Sequence, residues 1–282
     1  ASGAMTLWQK WFQLCISLSF ISIRFWCEVV HLIPFISLKQ KESLSMGVLC
    51  IGLKTFLASQ FQIGSLMDKK AMANGWKSIR ASLNRGRGVA LLVNHVSKLD
   101  GLLLGMFAPL DITMKCKTYM KSDLFDAFLT GRIWTLVGHL PVHFKSEEKG
   151  VFKVDREKQA IVTQKLSAFM KTGKILIFCP EGQISQDPSK LQPFRRGSFA
   201  MVAELGMDVW AFTTHNAQKV WPNSQKMGGF PATLKLSITK LHDGKVEKDD
   251  IKGACIRLSE ETQKKMQKEV DRHFSGESKQ NQ

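Results

Sequence analysis

Apolar and polar positions divide this chain into two regimes. In the first, Trp11 to Ile23 is uncharged and mostly apolar; Arg24 and Glu28 interrupt it, and the pattern resumes through Val29, Val30, Leu32 and Ile33 to end near Pro34. A second apolar run spans Met46 to Leu53, with Lys54 before Phe56 and Leu57. Lys39, Gln40, Lys41 and Glu42 make a polar turn between the two. Neither run is a clean stretch of about 20 apolar residues, the length that carries a helix across a bilayer. The pattern predicts a two-helix membrane-associating segment over residues 5–60, both helices dipping into one leaflet. Trp8, Trp11 and Trp26 suit the headgroup region. Packing of the same hairpin on the protein's own core is the other reading of such runs. A cleaved signal peptide is disfavoured, because no short basic region leads to a small-residue cleavage site. Ala1 to Ala4, ahead of Met5, read as an appended remnant outside the fold.

From about residue 72 the pattern changes to strands alternating with helices, which predicts an α/β domain over residues 61–274. Val89 to Asn94 reads as a buried strand, Gly101 to Phe107 as an apolar helix, and Ile112 to Thr118 as a second strand. A helix near Leu124 to Leu136 and a strand over Gly138 to Phe144 follow. Asp155 opens a helix whose Val162, Leu166, Phe169 and Met170 share a face, with Gly173 as a left-handed cap. Lys174 to Cys179, Val209 to Thr213 and Ala232 to Leu241 are further strands. In the last helix Leu258, Thr262, Met266, Val270 and Phe274 recur every four residues, and 275–282 reads as a disordered polar tail.

The formal charge of +16 favours an anionic partner: nucleic acid, anionic lipid headgroups or a phosphorylated substrate. Spread-out basic residues without a recognised binding motif argue against nucleic acid. The cysteines at 15, 27, 50, 116, 179 and 255 form no C-x-x-C pair, so the chain reads as reduced and intracellular, without a disulfide framework. His139, His143 and His215 lack metal-ligand spacing, and no metal site is expected.

The candidate chemistry begins where an apolar strand ends in Asn94-His95, with Asp100 five positions after the histidine. A histidine steadied by a carboxylate is what a base needs to take a proton from an attacking alcohol. Its ordinary pKa of about 6.5 suits neutral pH. The bland readings are a satisfied histidine at a strand end and a carboxylate in a helix's first turn. Four segments follow in order: Phe152-Lys153-Val154-Asp155-Arg156, Phe178-Cys179-Pro180-Glu181-Gly182-Gln183-Ile184-Ser185, Phe194-Arg195-Arg196-Gly197-Ser198-Phe199, and the strand Met207 to Phe212.

With these blocks the chain resembles the glycerolipid acyltransferases of the 1-acylglycerol-3-phosphate acyltransferase type. That family carries Asn-His-x4-Asp, then Phe-x-x-Arg, Pro-Glu-Gly and a Phe-Lys-Lys-Gly-like segment, and their order and rough spacing match here from about Val89 to Phe212, with Phe152 one position further from Arg156. The resemblance implies a mixed sheet flanked by helices and an intracellular enzyme at a membrane face. Such an enzyme moves a fatty acyl group from acyl-CoA or acyl-carrier protein to the sn-2 hydroxyl of lysophosphatidic acid, giving phosphatidic acid. No cofactor is implied beyond the acyl donor as substrate. His95 is then the base, Asp100 its orienter, and backbone amides near the motif hold the oxyanion. Glu181 and Gly182 are expected to order the acceptor site. Arg156, and one of Arg195 and Arg196, are expected to hold phosphate. Lys121 resembles a family lysine near the acceptor.

Asp155 also fits a helix N-cap in its own right. Three departures bear on the acceptor: Ile184 stands where the family commonly has an arginine, Lys145 to Lys153 look inserted, and the strand from Met207 lacks the family's usual prolines. Glycerol 3-phosphate and other lysophospholipids therefore stay open as acceptors, as does a transacylase that uses no thioester. A non-enzymatic basic protein binding membrane or nucleic acid is the rival class.

Overall fold

Val89 to Val93 is buried at every position, and its side chains divide by parity. Val89, Leu91 and Val93 join one apolar cluster, Ala90 and Leu92 another. A strand can be apolar throughout only where both faces of its sheet are covered. The computed structural model, which describes residues 5–148, 151–245 and 250–278, shows that covering.

The strands are β1 (Ile63–Leu66), β2 (Val89–Val93), β3 (Cys116–Lys121), β4 (Leu140–Val142), β5 (Phe144–Glu148), β6 (Val151–Val154), β7 (Ile175–Phe178), β8 (Asp208–His215) and β9 (Ala232–His242). Seven form one sheet in the order β1-β9-β8-β2-β7-β3-β4. Neighbours run parallel except β8 and β9, so the sheet is mixed as expected. β5 and β6 pair antiparallel as a separate hairpin, which accounts for the inserted segment.

The helices are α1 (Leu7–Leu32), α2 (Leu38–Ala58), α3 (Lys69–Asn84), α4 (Asp100–Phe107), α5 (Leu110–Thr113), α6 (Gly131–Leu136), α7 (Arg156–Met170), α8 (Gly197–Leu205), α9 (Ala217–Val220) and α10 (Ile251–Ser278). Helices α1 to α4 and α6 cover one face of the sheet, with Phe12, Leu53, Trp76, Leu103 and Ile133 in the cluster that holds Leu91 and Phe212. Helices α7, α8 and α10 cover the other, with Leu166, Phe199 and Met266 beside Leu92 and Phe178.

The N-terminal runs form the expected hairpin, and each helix starts with a capping box, Thr6 with Gln9 and Ser37 with Gln40. Arg24 and Glu28 do not break α1. Arg24 donates to the Phe128 carbonyl at 3.1 Å, and Arg132 grips Glu28 with two bonds of 2.7 and 3.1 Å. The helix is continuous for 26 residues and, contrary to the broken pattern, is long and apolar enough by length and composition to cross a membrane. It carries two apolar stripes. Phe12, Ile16, Phe20, Ile23 and Cys27 are buried against the domain. Leu14, Leu18, Ile21, Phe25 and Leu32 are exposed on the other side.

Three expected elements are corrected. The strand from Ile112 starts only at Cys116; Pro109 instead opens the short helix α5, where Thr113 bonds back to the Leu110 carbonyl. The helix near Leu124 is a 3₁₀ turn over Ser122–Asp126, and α6 begins only at Gly131. A Cβ at Gly131 would lie 2.1 Å from the Phe125 carbonyl oxygen, so the chain reverses tightly there. The last helix continues through Ser278, past the expected tail boundary, and residues 279–282 lie outside the described residues.

His139 is buried beside Trp134, its Nδ1 accepting from the Thr118 amide at 3.3 Å. Burial first, then nearby Lys117, pushes its pKa down to about 3. His273, chiefly through burial, is lowered to about 4. The unfolded chain takes up these protons near pH 6.5, before the folded one does, so this stability is full above about 6.5 and is lost as pH falls toward the folded values. Thermal melts are expected to drop between about pH 7 and pH 5. His139→Gln, which keeps an acceptor for Thr118, should flatten that slope; an unchanged slope would remove His139 as its source.

Candidate active site

β2, β7 and β8 are neighbouring parallel strands, so their C-terminal ends share one edge, where α/β proteins place their sites. β2 delivers Asn94 and His95, β7 delivers Glu181 after Pro180, and β8 ends with Thr214 and His215. Asn94 is buried and bonds both ways to β8: its amide donates to the Thr214 carbonyl and its oxygen accepts from the Thr214 amide, each at 2.8 Å. The exit of β2 is thereby pinned to β8.

Asp100 opens α4 and folds back over the loop it closes. Its Oδ2 accepts from the amides of Val96 and Ser97 at 2.6 and 2.7 Å and faces His95 Nδ1 at 3.2 Å. Its Oδ1 accepts from the Thr214 hydroxyl at 3.3 Å. The carboxylate is 0% exposed, whereas the imidazole is 24% exposed. An Nδ1–H donated to Asp100 leaves Nε2 as the basic ring nitrogen. A buried orienter and a base that reaches the surface are brought together in this way.

In this loop the amides of Val96 and Ser97 are committed to Asp100, that of His95 to Glu181, and that of Leu99 to the Ser97 hydroxyl.

Glu181 is buried, and both its oxygens bind backbone: Oε1 accepts from the His95 amide at 2.8 Å, Oε2 from the Gln192 amide at 2.9 Å. Burial raises its pKa, while those two amides and nearby His95 oppose the rise. The Ser185 amide donates to the His95 carbonyl at 2.7 Å. The His95 peptide is therefore held on both sides by the segment after β7. Both carboxylate oxygens of Glu181 are thus engaged with backbone, one of them positioning His95.

Gly182 has φ +69°, and a Cβ there would meet the Arg195 side chain at 2.3 Å. Arg195 lies across this turn, with Nε donating to the Glu181 carbonyl at 3.2 Å. Arg196 instead pairs with Glu260 of α10 at 3.3 Å, and the structure does not bring it to His95. Lys121 ends β3, one strand beyond β7, and pairs with Asp123 at 3.0 Å. Arg156 is the first residue of α7 and its side chain lies outside the described residues; Asp155 caps that helix by accepting from the Lys158 amide. Burial, with Asp100 and Glu181 nearby, pushes the Cys179 thiol well above its usual range, so it is no ready thiolate nucleophile.

Sequence reasoning gave no role to Asn94, Ser97, Ser185 or Thr214. Their signal was faint: polar residues at the ends of buried strands, beside a candidate base.

Residues 77–214 match the acyltransferase family model, a range that holds His95, Asp100, Glu181, Arg195 and Thr214. A chloroplastic 1-acyl-sn-glycerol-3-phosphate acyltransferase of Brassica napus is 25% identical over 133 residues, 47% of this chain and 34% of that protein. A 1-acyl-sn-glycerol-3-phosphate acyltransferase of Chlamydomonas reinhardtii is 24% identical over 152 residues, 54% of this chain and 41% of that one. The chain thus spans well under two thirds of the length of these curated relatives. The crystal structure of PlsC, the 1-acyl-sn-glycerophosphate (LPA) acyltransferase of Thermotoga maritima, shares the fold with TM-score 0.60 and 16% identity, over 93% of this chain and 98% of that one. The family match over residues 77–214 spans just under half of the chain and takes in β2, β7 and the His95–Asp100 pair: that region is similar to the acyltransferase family.

Proposed function

We propose that the protein transfers a fatty acyl group from a thioester, acyl-CoA or acyl-carrier protein, to the sn-2 hydroxyl of lysophosphatidic acid. The observation that carries this reading is the partly exposed His95 with Nδ1 on a buried carboxylate. Nε2 takes the hydroxyl proton as the oxygen attacks the thioester carbon. The C–S bond then breaks, and the leaving thiolate receives that proton from the imidazolium. Asp100 stabilises the imidazolium between the two steps. The relatives' names support lysophosphatidic acid as acceptor.

Ile184, in place of an arginine, is the observation that favours a second reading, in which glycerol 3-phosphate or another lysophospholipid is acylated. A panel of acceptors offered with one labelled acyl-CoA separates the two. Preference for lysophosphatidic acid is expected, and no transfer to any acceptor would end the reading. Arg195, across the Gly182 turn, is the proposed phosphate contact. Charge-assisted bonds contribute roughly 1.5 to 3 kcal/mol, so Arg195→Ala should raise KM for lysophosphatidic acid about tenfold or more. KM for acyl-CoA should move less; equal shifts would assign Arg195 elsewhere.

The lipid surface is the proposed partner of the outer stripe of α1. Leu14, Leu18, Ile21 and Phe25 are exposed along one line, and the chain's charge of +16 complements anionic headgroups. Deleting the hairpin would strip Phe12 and Leu53 from the core. Changing Leu14, Leu18 and Phe25 to Glu leaves the buried stripe in place. The triple variant is expected to leave anionic vesicles in a flotation assay while melting like the parent. Full retention on vesicles would exclude this face.

A further inference from the structure

Between α9 and β9 a strap, residues 221–230, runs from the catalytic loop to the first turn of α1. At one end, Ser97 donates its hydroxyl to the Trp221 carbonyl at 2.9 Å, and Lys98 donates to the Gln225 carbonyl at 3.0 Å. Ser97 and Lys98 lie between His95 and Asp100 in the chain, so the strap holds the same loop that sets the base.

At the other end, buried Gln9 donates its amide to the Met227 carbonyl at 3.0 Å, while its oxygen accepts from the Thr6 amide in the helix cap. Phe12 stands edge-on to Trp221 with ring centroids 5.3 Å apart. Gly229, at φ +108°, lies so close to α1 that a Cβ would be 2.3 Å from Phe12 Cβ and 2.9 Å from the Trp8 carbonyl oxygen. The opposite side of this helix is the exposed apolar stripe.

We propose that the strap relays the seating of α1 to the His95–Asp100 loop, which makes Gln9 a positioning residue for transfer. The proposal rests on the acyl-transfer reading of His95. Its physical content is a continuous run of hydrogen bonds and ring contacts from a lipid-facing helix to the two residues inside the motif. A small shift of α1 moves the strap, and the strap moves the loop whose amides Asp100 holds.

Two measurements on the full chain decide it. Amide exchange at Val96 and Ser97, followed without substrate, is expected to accelerate about tenfold in Gly229→Ala while exchange at Leu166 in α7 stays as in the parent. Should that variant fail to fold, Lys98→Met removes the Gln225 contact from the exposed side and is expected to shift exchange in the same direction. Unchanged exchange in a folded variant overturns the relay.

The second measurement is a double-mutant cycle on kcat with monomeric short-chain acceptor. Gln9→Glu keeps the cap oxygen, loses the donor to Met227 and sets a carboxylate oxygen against that carbonyl; Ser97→Ala loses the donor to Trp221 and the acceptor of the Leu99 amide. Each is expected to lower kcat by about fivefold or more, and together to do little worse than the stronger alone, because contacting networks do not add. Independent, multiplying effects would overturn the proposal. Absence of transfer in the parent protein would fail the acyl-transfer reading instead, and the exchange experiment would still judge the relay.

Discussion

His95→Ala is expected to lower acyl transfer by at least about 10²-fold while leaving the fold intact, because it removes the base and little of the packing. The backbone supports this. The His95 peptide is held through its N–H by Glu181 and its C=O by Ser185, and neither bond needs the imidazole. Asp100 keeps its bonds to Val96, Ser97 and Thr214. Melting and circular dichroism should match the parent. Asp100→Asn is the informative companion. The two amides favour turning the asparagine oxygen toward Val96 and Ser97, which leaves its NH₂ facing the Thr214 hydroxyl, a group that can also accept. The loop should survive, and the loss should come from the missing charge beside the imidazolium, smaller than for His95→Ala. Near-parental turnover in His95→Ala would sink the mechanism.

Glu181→Ala is the second large effect, and it differs in kind. It orphans the amides of His95 and Gln192, and an unsatisfied buried donor costs about 1–3 kcal/mol. Two such losses remove a large share of a typical domain's stability of about 5–15 kcal/mol. Surviving folded protein should have a lower kcat, since displacing a reacting group by about 1 Å can cost 10²-fold. Glu181→Gln removes the charge that burial disfavours, yet presents an NH₂ to one of the two amides. It should therefore fall between parent and alanine in both melting temperature and kcat. A Glu181→Ala protein with parental kcat and raised acceptor KM would return the glutamate to substrate binding.

The parts of the fold legible in sequence were those with a single physical reading. β2 and β7 are short apolar runs between polar or glycine-containing segments, and both lie where expected. Asp155 was a cap by type and is one in place. Arg24 and Glu28 misled because their partners, Phe128 and Arg132, stand 104 residues away. Ile112 misled because a short apolar run does not distinguish strand from helical turn, and Pro109 settled it locally. In the site, the base and its carboxylate were legible as residue types at a spacing. The work of Glu181 was not, because its partners are backbone amides, which every residue but proline carries. Arg195 and Arg196 were equivalent neighbours until the fold sent one to Gly182 and the other to Glu260.

Three bonds that grip the motif reach far along the chain. Asn94 to Thr214 spans 120 residues, His95 to Glu181 spans 86, and Ser97 to Trp221 spans 124. The bonds of Asp100 to the loop and of the Leu99 amide to Ser97 are local. The motif is thus a late event in the life of the molecule: closing such long loops has to precede any reward from the contacts they bring together. A nascent or truncated chain that has made β2 and β7 already contains His95 and Asp100 but has no β8 to pin Asn94 against. Chemical competence at this edge is a report that β8 has joined the sheet, and an immature chain is silent for want of the bonds that hold the motif.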